Sequence, residues 1–435
     1  MLTPQPETEH VMTNLNANAP LNSPRRAAAC RLSIAMLASS LLLATSAQAA
    51  VTPAEPLRTT CYGIPTVPAG GTVPPNVIVG SNLDNVIVGT PGPDIIDGRN
   101  GNDTIYGRGG DDIICGSLGN DTIYGGAGKD HIAGDDVSNQ ERPGTDLIFG
   151  GADDDIVDGD AVDGGPLAMT GGDDRIFGGG GNDALRGDGI GDWAKPSAPA
   201  LQVVGGNDTI GGGEGSDTIF GDWIRTGDGA DSIRGGNDVL LGDSGVDFID
   251  GDMIGGLAGI DTVTGGNDHI SGGEGNDVVR GDRFDTGGDN GGDFLGGGAD
   301  VVSGDDGDDD VQGDAIDGAT GNDTLRAGDD WLFGDAGADA LRGDALTGGT
   351  GVDSASLGGD TLYGGLGGDD IWGDTVQTIE SILGGGDRLH GDEQFDALFG
   401  EWGIDLHDCG PDGGSADGGA GADLPPVACA PAINM

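Results

Sequence analysis

Between residues 71 and 133, one aliphatic residue recurs at every ninth position of the chain. These positions are occupied by Ile78, Ile87, Ile96, Ile105, Ile114, Ile123 and Ile132. Seven isoleucines at an unbroken spacing of nine indicate a repeat rather than chance. Glycines stand between them, and glycine permits the turns that reverse a chain. The pattern predicts short strands, each with one inward aliphatic side chain, separated by glycine-rich turns.

An acid or an amide stands two residues before each of these isoleucines. The residues in this position are Asn76, Asn85, Asp94, Asp103, Asp112, Asp121 and Asp130. The repeating unit is therefore G-G-x-G-x-D-x-U-x, where U is aliphatic.

After Asp130 the spacing changes, but an acid followed two residues later by an aliphatic persists in modules of about thirty residues. The first acidic column contains Asp146, Asp174, Asp208, Asp238, Asp268, Asp300, Asp330, Asp360 and Asp387. The second column contains Asp155, Asp183, Asp217, Asp247, Asp277, Asp309, Asp339, Asp369 and Asp396. The third column contains Asp160, Asp188, Asp222, Asp252, Asp282, Asp314, Asp344, Asp374 and Glu401.

A fourth, looser column follows a gap of variable length in each module. It contains Leu167, Leu201, Asp231, Asp261, Asp293, Asp323, Asp353 and Glu380. Insertions collect in exposed loops, so this gap predicts the solvent-facing corner of each module. The longest gap surrounds Trp193 and Lys195. The spacing leaves open whether one module forms one turn or two turns of a coil.

Stacked turns would bring equivalent aspartates about 4.8 Å apart, the spacing of adjacent strands. Two bare carboxylates at that distance repel by about 3.5 kcal/mol at an effective dielectric constant of 20. A hard cation between turns converts this repulsion into ligation. Calcium fits best, because it accepts six to eight oxygens in flexible geometry. The first two columns are therefore predicted metal ligands, whereas the third column suits a ligand and an Asx-type turn cap equally well.

This repeat resembles the nonapeptide of the RTX proteins, the hemolysin-type calcium-binding repeat proteins, over roughly residues 71–404. The resemblance implies an all-β fold, a parallel β-roll or β-solenoid stabilised by several calcium ions. It also implies that the six residues before each strand form the metal loop. Carried over by position, it assigns metal ligation to Asp94, Asp103, Asp112, Asp121 and Asp130 and to the first two module columns. Asn76 and Asn85 depart from the motif, so the first turns are expected to bind metal poorly.

Composition supports a thin core and a cation-binding surface. Glycine accounts for 93 of 435 residues, and only 4% of residues are aromatic. Lys and Arg number 18 against 75 Asp and Glu, which gives a formal charge of −57. Such a surface repels nucleic acid and anionic lipid and attracts cations.

The first 49 residues predict a signal peptide and therefore secretion. Arg25, Arg26 and Arg31 precede an apolar run over residues 32–43, and Ala47 and Ala49 form an A-x-A cleavage site. The apolar run is too short to span a bilayer, and no membrane span is expected elsewhere. RTX proteins typically use an uncleaved C-terminal export signal, so this chain looks more like the stand-alone secreted repeat proteins.

Removal of that segment leaves four cysteines, and an even number in an exported chain suggests disulfides. Of the three pairings, we favour Cys61 with Cys115 and Cys409 with Cys429, because pairing between the two ends of a stack is geometrically difficult. The expected organisation is a cap at 50–70, nonapeptides at 71–134, thirty-residue modules at 135–404 and a cap at 405–435.

Catalytic motifs are lacking from the sequence. No histidine lies in H-E-x-x-H, and Gly242-Asp243-Ser244-Gly245 resembles a serine-protease fragment but has no histidine in context. The chain is therefore expected to be a secreted calcium-binding repeat protein with a structural or adhesive role, and not an enzyme. It would fold on calcium outside the cell, where a cell surface or extracellular matrix is the expected partner. The alternative is an RTX-tailed enzyme or carbohydrate-active protein that uses the loop face.

Overall fold

A computed structural model gives the arrangement of the repeats. It describes residues 60–61, 64–65, 76–138, 143–163, 168–191, 202–225, 228–229, 232–255, 258–259, 261–285, 293–317, 323–347, 354–377, 379, 381–394, 396–411, 413–417, 420–421 and 429. The chain divides into two units, Met1–Gln48 and Ala49–Met435. The first unit, which contains most of the predicted signal peptide, and the long gap around Trp193 lie outside the described residues.

Three parallel sheets run along the repeats, here called sheets I, II and III. Sheet I consists of Val86–Val88, Thr104–Gly109, Thr122–Ala127, Leu147–Ala152, Arg175–Gly180, Thr209–Glu214, Val239–Ser244, His269–Glu274, Val301–Asp306, Trp331–Ala336, Thr361–Leu366, Arg388–His390 and Leu406–Asp408. Sheet II consists of Val77–Val79, Ile95–Asp97, Ile113–Cys115, His131–Ser138, Ile156–Asp163, Ala184–Gly191, Thr218–Arg225, Phe248–Gly255, Val278–Asp285, Asp310–Asp317, Ala340–Thr347, Asp370–Gln377, Asp396–Phe399 and Gly414–Asp417. Sheet III consists of Ala168–Thr170, Gln202–Val204, Ser232–Arg234, Thr262–Thr264, Phe294–Gly296, Thr324–Arg326, Ser354–Ser356 and Ser381–Leu383.

Three two-stranded pairs complete the described secondary structure. Thr60–Cys61 pairs antiparallel with Ile64–Pro65, while Asp228–Gly229 pairs parallel with Ala258–Gly259 and Trp402–Gly403 with Ala420–Gly421. The described part of the chain offers no apolar helix of bilayer-spanning length.

Strand register shows that one thirty-residue module is a single turn of the coil. Thr209 pairs with Val239 in sheet I, and Thr218 pairs with Phe248 in sheet II. Each module therefore contributes one strand to every sheet. In the nonapeptide region the step is shorter, since Thr104 pairs with Thr122, and two nonapeptides complete a turn. The predicted all-β parallel β-solenoid is confirmed, and the coil changes from two strands per turn to three.

Sheet III exists because the long strands of sheet II bend. In Thr218–Arg225 the buried positions alternate up to Gly221, and the next residue, Asp222, is buried as well. Two consecutive buried residues reverse the alternation. As a result Ile219 faces one side of the coil interior and Ile224 faces another, with an aspartate between them.

Two thin hydrophobic cores result from this bend. The first packs the inward residues of sheets I and II, such as Ile210 and Ile219, and every U isoleucine from Ile96 to Ile132 is fully buried there. The second packs the far halves of the sheet II strands against sheet III, through residues such as Ile224 and Ile233. The inward aliphatic positions that the repeat predicts are therefore confirmed.

Close approach between turns explains one conspicuous glycine column. A Cβ placed on Gly236 would lie 1.4 Å from the carbonyl oxygen of Gly206 in the preceding turn. No rotamer relieves a contact between a Cβ and a backbone atom, so only glycine allows the two turns to stack here.

We predict that Gly236→Ala destabilises the protein by about 2 kcal/mol or more, because the turns around it must separate. Thermal unfolding in saturating calcium, followed by circular dichroism, measures the change. Gly180→Ala is the matched control, since a Cβ there meets nothing within 4 Å. Equal unfolding temperatures for the two variants would contradict the stacking argument.

Candidate metal centres

The predicted aspartates form two rows along the coil, one at each edge where the chain enters a sheet. The first row precedes the strands of sheet I and contains Asp103, Asp121, Asp146, Asp174, Asp208, Asp238, Asp268, Asp300, Asp330, Asp360 and Asp387. The second row precedes the strands of sheet II and contains Asp94, Asp112, Asp130, Asp155, Asp183, Asp217, Asp247, Asp277, Asp309, Asp339, Asp369 and Asp396. Alternate nonapeptides thus supply opposite rows.

Backbone hydrogen bonds link each row from turn to turn. The Asp208 N–H donates to Asp238 Oδ1 at 2.8 Å in the first row, and the Asp217 N–H donates to Asp247 Oδ1 at 2.8 Å in the second. The other oxygen, Oδ2, of Asp208, Asp217 and Asp247 has no hydrogen-bond partner, although each residue is at most 2% exposed. Buried polar atoms without partners are rare, so each row presents a line of unsatisfied oxygens.

Backbone carbonyl oxygens converge on the same places. A Cβ placed on Gly212 would lie 2.2 Å from Asp217 Oδ2 and 2.9 Å from the carbonyl oxygen of Gly242. The glycine therefore keeps open a space that carboxylate and carbonyl oxygens of successive turns share. Oxygen donors of these two kinds are what calcium accepts, so the residues present fit calcium. A calcium ion bound there would neutralise the carboxylates between turns.

The third column lies at the bend of the sheet II strands. We call Asp160, Asp188, Asp222, Asp252, Asp282, Asp314, Asp344 and Asp374 the bend aspartates; all are 0% exposed. They meet the first row inside the coil. One carboxylate oxygen of each lies within 4.8 Å of the others in groups such as Asp160–Asp174–Asp188 and Asp188–Asp208–Asp222. The sequence left open whether this column supplies metal ligands or turn caps. It did not reveal that these aspartates lie next to the first row.

The first row also continues one residue beyond the predicted column. The Asp387 N–H donates to Asp405 Oδ1 at 3.1 Å, and Asp405 is fully buried. The sequence pattern missed this turn because His407 takes the inward position that an aliphatic residue takes elsewhere. At the other end of the row stands Asn85, whose side chain is neutral. The backbone N–H of Asn85 donates to Asp103 Oδ1 at 2.6 Å.

A short third row begins at the entry to sheet III. The Asp261 N–H donates to Asp293 Oδ1 at 2.9 Å, and the Asp293 N–H donates to Asp323 Oδ1 at 3.0 Å. All three residues are at most 3% exposed. They belong to the looser fourth column, whose aliphatic partners Val263 and Leu325 are buried in the second core.

Not every buried aspartate on the coil faces other acids. Asp250, on the outer side of sheet II, lies 3.2 Å from Arg280 Nη1 and 3.7 Å from Arg283 Nη1. In the described part of the chain, Lys and Arg side chains form ion pairs with Asp154, Asp158, Asp250 and Asp310, which belong neither to the rows nor to the bend aspartates.

Burial raises the pKa of row carboxyls such as those of Asp121 and Asp247 in the metal-free protein. Removal from water raises the pKa of Asp121 to about 8 and that of Asp247 to about 7, although each accepts a backbone N–H that lowers it. The usual pKa of aspartate is 3.8. Burial and neighbouring carboxylates raise the pKa of Asp222 well above that value as well.

One of the two predicted disulfides is described in full. Cys409 and Cys429 are bonded, with their Cα atoms 5.0 Å apart, and Cys409 belongs to the first core. Cys115 is disulfide-bonded and 1% exposed, and the strand Thr60–Cys61 lies close to its strand. The side chain of Cys61 lies outside the described residues, so the pairing of Cys61 with Cys115 stays a prediction.

We predict that the metal-free protein loses β structure as the pH rises from about 5 to about 8. A raised carboxyl pKa gives stability that is present below the unfolded value of 3.8 and is lost as the pH passes the folded values near 7 and 8. Far-UV circular dichroism in chelator measures this. Calcium should reverse the trend, because protons compete with the ion for the same carboxylates. A metal-free signal independent of pH would contradict the assignment.

Comparison with known families agrees with this geometry. The sequence model of the RTX calcium-binding nonapeptide repeat, described as four copies, matches residues 79–114, 109–140, 143–164, 170–189, 205–223, 220–249, 255–286 and 317–346. A search of curated proteins gave no match to the chain. The matched segments contain the aspartates of both rows from Asp94 to Asp277, and also Asp330 and Asp339. The chain therefore belongs to the family of RTX calcium-binding nonapeptide repeat proteins.

Proposed function

We propose that this calcium-binding repeat protein is exported and folds outside the cell when calcium binds, and that its role is structural or adhesive rather than catalytic. One observation carries the proposal. Two rows of buried carboxylates each keep an oxygen without a partner at successive turns, for example Asp217 Oδ2 and Asp247 Oδ2. A folded state with these oxygens charged and unpaired is strongly unfavourable.

Calcium concentration supplies the switch in this proposal. A calcium site with the weak affinity typical of extracellular proteins, a Kd of about 0.5 mM, adds about 1 kcal/mol to the free energy of unfolding at about 2 mM calcium. About a dozen such sites match the stability of an ordinary domain, which is roughly 5–15 kcal/mol. In a cytosol with far less calcium the same sites contribute almost nothing, so folding is deferred until export.

A scaffold role is supported by how the turns are built. Each turn hydrogen-bonds to the turn before and the turn after it, and stability in such coils is a sum over neighbours. The serine of the protease-like fragment is engaged structurally, since the Ser244 hydroxyl donates to the carbonyl oxygen of Gly213 at 3.2 Å. Its hydroxyl is thus held by backbone rather than by a general base.

The decisive experiment is a calcium titration of the protein without residues 1–49, starting from chelator and followed by far-UV circular dichroism. At pH 8 we expect little β signal in chelator and a cooperative gain between about 0.1 and 5 mM calcium. Magnesium at the same concentrations should act weakly, since it holds its waters and demands octahedral geometry. A full β signal in chelator at pH 8 would rule out calcium-dependent folding.

Export and adhesion need their own measurements. N-terminal sequencing of protein recovered from culture medium should begin at Ala50, after the A-x-A site. Binding of the calcium-folded protein to whole cells or matrix, with the chelated protein as control, tests adhesion. Protein retained inside the cell would contradict the export part while leaving the calcium-binding part intact.

A further inference from the structure

The bend aspartates are built differently from a turn cap. Asp222 Oδ2 accepts the N–H of Gly236 at 2.7 Å, and Asp252 Oδ2 accepts the N–H of Gly266 at 2.7 Å. These bonds hold each carboxylate at the bend by one oxygen. The second oxygen, Oδ1, has no hydrogen-bond partner in either residue, and both side chains are completely buried.

The bend carboxylates lie next to carboxylates of the first row. Asp222 groups with Asp188 and Asp208 on one side and with Asp238 and Asp252 on the other. In the first of these groups Asp188 Oδ1, Asp208 Oδ2 and Asp222 Oδ1 all lack partners. Three carboxylates, each with one unsatisfied oxygen, therefore meet in one buried place, and the same arrangement recurs in the following turn.

Asp160, Asp188, Asp222 and Asp252 are each shared by two successive groups. One turn therefore contributes one first-row carboxylate and one bend carboxylate, a formal charge of −2. The second row contributes one carboxylate per turn, a charge of −1. A single divalent cation per turn would neutralise the buried first row completely. Neutrality matters there because an uncompensated charge away from water costs several kcal/mol.

A proton shared between neighbouring bend carboxylates, which lie within hydrogen-bonding reach of each other, is the competing explanation. A proton joins two oxygens and would leave the third oxygen of a group unsatisfied. A hard cation accepts all three together with nearby carbonyls, such as that of Gly251, which a Cβ on Gly221 would approach to 2.5 Å while meeting Asp238 Oδ2 at 1.9 Å.

We propose that the bend aspartates are additional ligands of a buried row of divalent cations, one per turn, in which each site is closed by carboxylates from two sheet II strands and one first-row loop. The groups named among the described residues join bend aspartates to the first row and not to the second. This inference rests on the proposed calcium-dependent folding, which it deepens by naming a ligand set outside the nonapeptide loop.

The test is the double variant Asp222→Asn, Asp252→Asn in the protein without residues 1–49. Asparagine keeps the oxygen that accepts the glycine N–H and removes the charge and the free carboxylate oxygen. Asp222 and Asp252 together belong to three groups. We therefore expect about three fewer calcium ions bound per molecule in equilibrium dialysis, at a concentration that just saturates the unaltered protein.

Glu214→Gln, Glu274→Gln is the matched control. It removes the same charge from two exposed acids at corresponding positions of sheet I, and it should bind calcium as the unaltered protein does. An equal loss of ions in this control would mean that overall charge, not ligation, sets the count, and would overturn the proposal.

Two further outcomes separate the inference from the function on which it rests. A bend variant with the full number of calcium ions and an unchanged folding midpoint would show that these carboxyls hold protons, and would overturn the inference alone. An unaltered protein that binds no calcium and gains no β signal would overturn the proposed function. A bend variant that folds better in chelator yet binds fewer ions would support the inference, because charge removal relieves repulsion while ligation is lost.

Discussion

Repulsion between like charges on successive turns is the constraint on which this fold depends. The strands bring Asp208 and Asp238 into one row because their backbones must pair, and the same pairing forces their carboxylates together. The core cannot offset this repulsion by itself, since each turn buries only a few aliphatic side chains. The protein therefore needs a partner of opposite charge between its turns. The calcium ions that RTX repeats bind would meet that need.

The bend in the sheet II strands makes the repulsion between carboxylates different in the modules and in the nonapeptide turns. In the nonapeptide turns the two rows are equivalent, and each lies at an edge of a two-stranded turn. In the modules a third strand covers the first row, and an aspartate enters the interior from the bend. The first-row carboxylates are therefore more deeply buried in the modules, where they also lie closer to other carboxylates. The same chain thus contains an open edge and a covered edge, which would place different demands on a bound cation.

Much of this arrangement was readable from spacing. The acid two residues before an aliphatic identified both rows, because this pair marks the end of a metal loop and the start of a strand. The number of strands per turn could not be predicted from the sequence. The acids of one module, from Asp208 to Asp238, are 9, 5, 9 and 7 residues apart, and these spacings fit one turn of the coil or two. The role of Asp222 was also hidden, because only the reversal of alternation at Gly221 turns its side chain inward. Asp405 escaped because His407 replaces the expected aliphatic residue.

The uniform direction of the strands has a consequence for how such a chain changes over generations. Thr218 pairs with Phe248 as Phe248 pairs with Val278, so every module offers its successor the same surface that it receives from its predecessor. Duplication or loss of a whole module would leave every remaining contact as it was, provided that the two ends keep their caps. A change in the number of modules thus leaves the fold of each remaining turn intact, and the length of the coil is open to adjustment by recombination in units of one turn.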